Sequence, residues 1–410
     1  MKIQHYEPIV GIPVISQLRR LGEQLKGMRV VHVNSTAEGG GVAEILAWMV
    51  PLMNDLGLDA RWEVILGTSE FFATTKAIHN GLQGYSVLLK NRDWDNYREI
   101  NRMNFERLRN VLEEADVVVI HDPQPAPLLE FCTRRRGRWI WRCHIDVSHP
   151  FRSVWKGLRP FVEKFDASIF SMCQFAQLLP HRQCLIAPSI DPLSDKNVEL
   201  DDRELEAVRS QFNLNPDIPT LVQISRFDRF KDPVGVIQAY RMVRKMTPVQ
   251  LVLAGGGATD DPEGKEVLDA VIEAAEGDPH IHVELLPPAA HRTINALQRL
   301  ADIIIQKSTR EGFGLTVTEG LWKGRPVIGG DAGGIRLQVV DYHTGFLVVT
   351  PEGAANRIRY LLHHREQCHK MGEAGRELVR EYYLLTRHLR EYLTLMYALV
   401  GKKTEHTVMV

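Results

Sequence analysis

The stretch "REGFGLTVTEGLWKGRPVIG" (Arg310–Gly329) reads as one complete crossover. The apolar run Ile303–Gln306 before it has the character of a strand, Gly312-Phe313-Gly314 that of a turn, and Leu315 to about Lys323 that of a short helix. Gly324 closes the helix, with Pro326 just beyond. Pro326–Ile328 then reads as the next strand. Strand, helix and strand in this order build parallel sheets, whose members read as near-continuous apolar runs because both faces are covered.

Outward from this unit the alternation repeats. Strands are expected at Arg29–Val33, Arg61–Ile65, Val117–His121, Trp139–Cys143, Ser168–Phe170 and Cys184–Ile186. A second series follows at Thr220–Ile224, Gln250–Leu253, Ile281–Leu285, Ile303–Gln306, Pro326–Ile328 and Phe346–Val349. "APSIDPLSDKNVELDDRE", polar and carrying Pro188 and Pro192, reads as the linker, with the boundary near Asp191. The expected fold is α/β: two doubly wound, Rossmann-like domains, 1–191 and 192–410, facing across a crevice that suits a ligand. From about Glu352 to Val400 the pattern is helical, broken at Gly372 and Gly375, and this tail can cross back to the N-terminal domain.

A chain of 410 residues accommodates two such cores. Lys+Arg 50 against Asp+Glu 51 leaves no basic field for nucleic acid. Five widely spaced cysteines without a CxxC pair suggest neither a disulfide framework nor a zinc site. No run reaches the ~18 apolar residues of a membrane span, and the N-terminus lacks a small-residue cleavage site. A cytoplasmic protein without membrane attachment is the expectation.

Three groups of residues carry chemistry. "VVHVNSTAEGGGVAEIL" leads from a strand through Gly39, Gly40 and Gly41 into a helix, so backbone amides and the helix dipole can approach an anion or a sugar hydroxyl. A tight turn without function is the plain alternative. The Walker pattern is absent, and Glu44 spoils a dinucleotide fingerprint, which counts against an NAD-dependent dehydrogenase. "LVQISRFDRFKDP" sets Arg226 and Lys231 after a strand, where two cations can neutralise a diphosphate, although solvated surface cations are common. In the opening stretch, amides at Phe313, Gly314 and Leu315 face a ligand. Glu311 before the turn and Glu319 on the helix can reach different parts of that ligand.

Taken together, Glu311 and Glu319 in E-x7-E spacing, Arg226 and Lys231 in R-x4-K, and the early glycine loop resemble the retaining GT-B glycosyltransferases of the glycogen-synthase-like family four. The resemblance spans nearly the whole chain. "HDPQPAPLLEF", "WIWRCHID" and "APSIDPLSDKNVEL" bring it closer to the trehalose-forming synthase branch, and fungal-type trehalose phosphorylases, which are longer, share several of these stretches. The resemblance implies that domain 1–191 binds the acceptor and 192–410 the nucleotide sugar, an ADP-, UDP- or GDP-glucose, with glucose as acceptor. It implies Glu319 on the ribose hydroxyls, Glu311 on the donor sugar near O3, Arg226 and Lys231 on the diphosphate, and His144 near O6. No protein nucleophile, cofactor or metal is implied, and a homodimer is permitted. Asp122, Gln124, Arg142 and Asp146 are the acceptor-side candidates, with caps, turns or a domain interface as competing roles.

Asp93-Trp94-Asp95 matches a metal-binding DxD pattern but sits in a polar, helical stretch. The acids of "ATDDPEGK" suit a helix N-terminus. Trp139, Trp141, Trp155 and Trp322 are read as core before sugar platforms. A non-catalytic sugar-nucleotide sensor on the same fold would be marked by loss of Glu311, Arg226 or Lys231, and all three are present.

Overall fold

The computed structural model describes residues 1–400 apart from 39 and 257–261. Gly39 of the glycine loop and Ala258–Asp261 of "ATDDPEGK" lie outside the described residues. The chain divides into two compact units: Met1–Pro188 together with the chain from Leu385 onward, and Ser189–Leu384.

The first unit holds β1 (Arg29–Asn34), β2 (Asp59–Val64), β3 (Val117–His121), β4 (Arg138–Arg142), β5 (Ala167–Phe170) and β6 (Arg182–Leu185). They form one parallel sheet in the order β2-β1-β3-β4-β5-β6. The second unit holds β7 (Thr220–Ile224), β8 (Gln250–Gly256), β9 (Ile281–Leu286), β10 (Ile303–Gln306), β11 (Val327–Gly330) and β12 (Gly345–Val348). Its parallel order is β12-β11-β10-β7-β8-β9. Strands such as "VVVIH" and "TLVQI" are buried along their whole length, the signature of sheets covered on both faces.

Each sheet reverses its strand order once, and that reversal places the functional loops. In the first sheet the chain runs outward from β1 to β2 and returns beside β1 as β3. In the second it runs from β7 through β8 to β9 and returns beside β7 as β10. Crevices at the carboxyl ends of such strand pairs are where α/β sheets bind ligands. Arg226 and Lys231 follow β7, and Glu311 and Gly314 follow β10, so topology alone brings them to one edge.

Two segments differ from the reading of the sequence. Residues 189–200 do not hang as a linker but pack within the second unit. Buried Asn197 accepts from Trp322 Nε1 at 3.3 Å through its carbonyl and from Lys323 Nζ at 3.0 Å through its side chain. In the tail, Gly372 and Gly375 do not break a helix. They lie inside the Arg365–Tyr382 helix, where a Cβ on Gly372 would come within 2.0 Å of the Gly324 carbonyl. Small residues let this helix approach the Leu315–Trp322 helix closely; the chain breaks instead at His364 and at Tyr383-Leu384. The last helix, Leu385–Val400, buries Leu385, Leu389, Leu393 and Met396 in the first unit.

Candidate active site

The opening stretch builds its site from the turn outward. Gly314 caps the Leu315–Trp322 helix in the left-handed region (φ 84°); Val317 N donates to its carbonyl at 3.0 Å, and the amides before Val317 precede the first hydrogen-bonded turn. At the other end Arg325 N donates to Gly320 O and Gly324 N to Leu321 O, the Schellman pattern expected from Gly324. The downstream Ala332–Gly334 turn locks against the loop: a Cβ on Gly333 would lie 1.6 Å from the Glu311 carbonyl. Gln338 completes the clamp, its amide donating to Phe313 O at 2.7 Å and Gly334 O at 3.2 Å while its oxygen accepts from Thr318 Oγ1 at 2.5 Å. The Phe313 ring packs 5.5 Å from Tyr383.

On this frame Glu311 meets Lys231 at 2.5 Å and Ser308 Oγ at 3.3 Å. Beside them buried Lys307 pairs with Asp232, whose other oxygen accepts from Gly235 N at 3.2 Å and caps the Pro233–Arg244 helix. Arg226 differs. Its side chain is 68% exposed and, among the described residues, pairs with Asp228 at 3.4 Å, which leaves it open to an anion. Glu319 is 3% exposed, with Gln298 Nε2 at 3.3 Å. Burial pulls neighbouring Lys323 down to about 7, while the Glu319 carboxylate opposes that fall. The two glutamates therefore serve different partners, one facing the lysine after β7 and the other set into its helix. Chemically the cluster offers two cations and open amides for a diphosphate, and two carboxylates for hydroxyl groups.

In the first unit Gly40 precedes the Gly41–Asp55 helix at φ 85°, ψ 155°, a conformation reserved for glycine. Asp122 sits at φ 63° after β3. Its Oδ1 accepts the His144 amide at 2.7 Å, and burial raises its carboxyl to about 6. Arg142 is fully buried with Ser171 Oγ at 3.3 Å as its hydrogen-bond partner. His144 remains partly exposed and bonds through Nε2 to His121, and burial holds its imidazole well below the usual value. Asp122, Arg142 and His144 thus come together. Gln124 is tied by its carbonyl to Asn101 at 3.0 Å, and Asp146 closes a local turn with Ser148 at 2.6 Å.

Asp93 lies in the Asn91–Glu114 helix and accepts the Lys90 amide at 2.7 Å, an N-terminal cap. Among the described residues no group of His, Cys, Asp and Glu side chains could hold a metal ion. Trp139, Trp141 and Trp322 are buried. Among the described residues no helix is long and apolar enough to cross a membrane. Sequence reasoning missed Lys307, Asp232, Gln338, Tyr383 and the histidines beside His144. Only Asp232, as Asp before Pro at a helix start, carried a local signal.

Comparison with known proteins accords with this geometry. The family described as "Trehalose synthase, N-terminal domain" matches residues 32–177, and "Glycosyl transferases group 1" matches residues 205–378. "Trehalose synthase" of Thermococcus litoralis is 46% identical over 400 residues, covering 96% of each chain. "Trehalose phosphorylase" of Pleurotus pulmonarius is 27% identical over 406 residues, covering 86% of this chain and 54% of that one. The fold matches a solved structure described as "Trehalose-6-phosphate from E. coli bound with UDP-2-fluoro glucose" with a TM-score of 0.72 at 12% identity, covering 91% of this chain and 99% of that one. On these matches the chain belongs to the trehalose synthase family of GT-B glycosyltransferases.

Proposed function

We propose that this enzyme transfers glucose from a nucleoside diphosphate glucose to the anomeric hydroxyl of glucose, forming α,α-trehalose with retention. The observation that carries this reading is the pairing of Lys231, from the loop after β7, with Glu311, from the glycine turn after β10, with Arg226 on the first of these loops and buried Glu319 on the helix that follows the second, at the strand reversal of a chain 46% identical to a trehalose synthase over 96% of both lengths. In this reading Arg226 and Lys231 hold the diphosphate and Glu319 the ribose. Glu311, Phe313, Gly314 and Leu315 grip the donor sugar and phosphate together with the Gly39–Gly41 loop, and His144 touches the sugar near O6. The acceptor O1 forms its bond to donor C1 as the bond from C1 to the phosphate oxygen breaks. The proton passes from O1 to the departing phosphate, so neither a protein nucleophile nor a bound metal is required, and a chelator leaves most activity intact. Complete loss with EDTA, restored by Mg2+ or Mn2+, would refute that last point.

The test is incubation with ADP-, UDP- or GDP-glucose plus glucose, with the product identified by NMR. α,α-Trehalose is expected. A β linkage, a 1,4 or 1,6 bond, or no turnover with any donor refutes the reading, and a requirement for inorganic phosphate moves the enzyme to the phosphorylases. Mannose and galactose should be poor acceptors, by factors of up to about 10⁴, since an epimer leaves buried polar atoms unpaired.

A further inference from the structure

His144 stands at the end of a line of three imidazoles. Because β1, β3 and β4 are neighbours in the first sheet, His32 on β1, His121 at the end of β3 and His144 just past β4 fall side by side. His32 Nδ1 is 3.0 Å from His121 Nε2, and His121 Nδ1 is 3.0 Å from His144 Nε2. Burial holds His32 down to about 3 and the other two well below the usual imidazole value. Arg142 on β4 pushes His121 and His144 the same way, and His388 of the Leu385–Val400 helix adds to it at His144. Asp122, Cys143, Arg387, Glu391 and Tyr392 are further ionisable groups of this cluster. All three imidazoles are therefore neutral near pH 7.

A neutral imidazole carries one N–H, so His121 donates through one nitrogen and accepts through the other. Both bonds must then run in the same sense. Running toward His32, they would leave an N–H on His32 Nε2, an atom that is buried with no hydrogen-bond partner. Running toward His144, they leave only a lone pair there. The surroundings already hold surplus donors, because Arg142 Nε and Nη1, which can only donate, are also buried without partners. One more stranded N–H is the costlier choice. Among the described residues His144 Nδ1 meets no protein acceptor, and Nε2 is taken by His121, so Nδ1 is the nitrogen left for a ligand.

We propose that His32 and His121 are positioning residues that hold His144 with its proton on Nδ1, so that it offers the donor sugar a fixed hydrogen-bond donor. The role at the sugar rests on the reading of His144 given under the proposed function; the tautomer does not. Two-bond 1H–15N correlation on the full chain labelled with 15N-histidine, with His144 assigned through a His144→Gln variant, reads that tautomer without any turnover. A proton on Nδ1 is expected, and a proton on Nε2 overturns the proposal whatever the enzyme makes. In turnover, His121→Leu should lower kcat roughly tenfold, about the worth of one hydrogen bond. His121→Asn, whose amide can donate to His144, should recover most of that loss without recovering thermal stability. Equal activity in the two variants overturns the positioning role. If His121→Leu fails to fold, the tautomer measured in the native chain decides alone.

Discussion

Glu319 and Arg226 make opposite demands on solvent. Glu319 is 3% exposed and fixed in its helix, whereas the Arg226 side chain is 68% exposed. A rigid contact to ribose would act alike before and during bond breaking, while an exposed cation can reach the charge that develops on a leaving phosphate. Glu319→Ala should therefore raise the donor KM with kcat largely kept. Arg226→Ala should lower kcat on the order of 10²-fold, as removal of one charge-stabilising group does. Steady-state kinetics with the donor varied separates the two, and an unchanged donor KM in Glu319→Ala removes the ribose assignment. Lys231 and Glu311, 2.5 Å apart, should behave as one unit, so the double variant should lose less than the sum of the single losses by ~1 kcal/mol or more. These four residues were legible because glycines, strands and charges adjoin them in sequence. Gln338 and Tyr383 were not, since their partners Phe313 and Leu337 come to them only through folding.

At the scale of elements, two glycine-rich turns carry different constraints. Gly333 is pressed against backbone, with the Glu311 carbonyl 1.6 Å from where its Cβ would stand, while Gly40 faces open space and is held only by its φ of 85°. Gly40→Ala should cost about 1–3 kcal/mol of conformational strain. Gly333→Ala must displace the loop that holds Glu311, so it should lower the melting temperature further and abolish nucleotide binding by titration calorimetry. Equal melting shifts in the two variants would show that Gly333 does not lock the Glu311 loop. The Gly40 turn itself could be read from sequence because it sits between a strand and a helix. Gly372 and Gly375 could not, since a glycine that breaks a helix and one that admits a neighbouring helix look alike until the neighbour is known. The polar residues around Asp191 misled similarly: Asn197 looks solvated until Trp322 and Lys323 are seen to bond it.

Across the whole molecule, the two units should respond differently to acid. The strand order of the first sheet and the Leu385–Val400 helix gather His32, His121, His144 and His388, residues scattered so widely in sequence that no local pattern announces their meeting. Burial lowers all four, His32 to about 3. Their stabilising contribution is full above the unfolded value of about 6.5 and is lost as pH falls toward the folded values, because only the unfolded chain then binds protons. Each costs up to about 1.4 kcal/mol per pH unit in that range. Asp122 opposes them: raised to about 6, it binds a proton first in the folded state, so its protonation stabilises as pH falls from there toward about 3.9, and it offsets roughly one histidine. In the second unit the cost of burying Lys323, lowered to about 7, is already complete at neutral pH, and below it half-buried His282, lowered, and Glu284, raised, pull in opposite directions. Calorimetry between pH 7.5 and pH 5 should therefore show the first unit's transition falling away from the second's. Replacing His32 by Gln should flatten the decline by about one histidine's share. A single transition that moves as one, or a decline that His32→Gln leaves unaltered, would mean that the cluster is not kept neutral by burial.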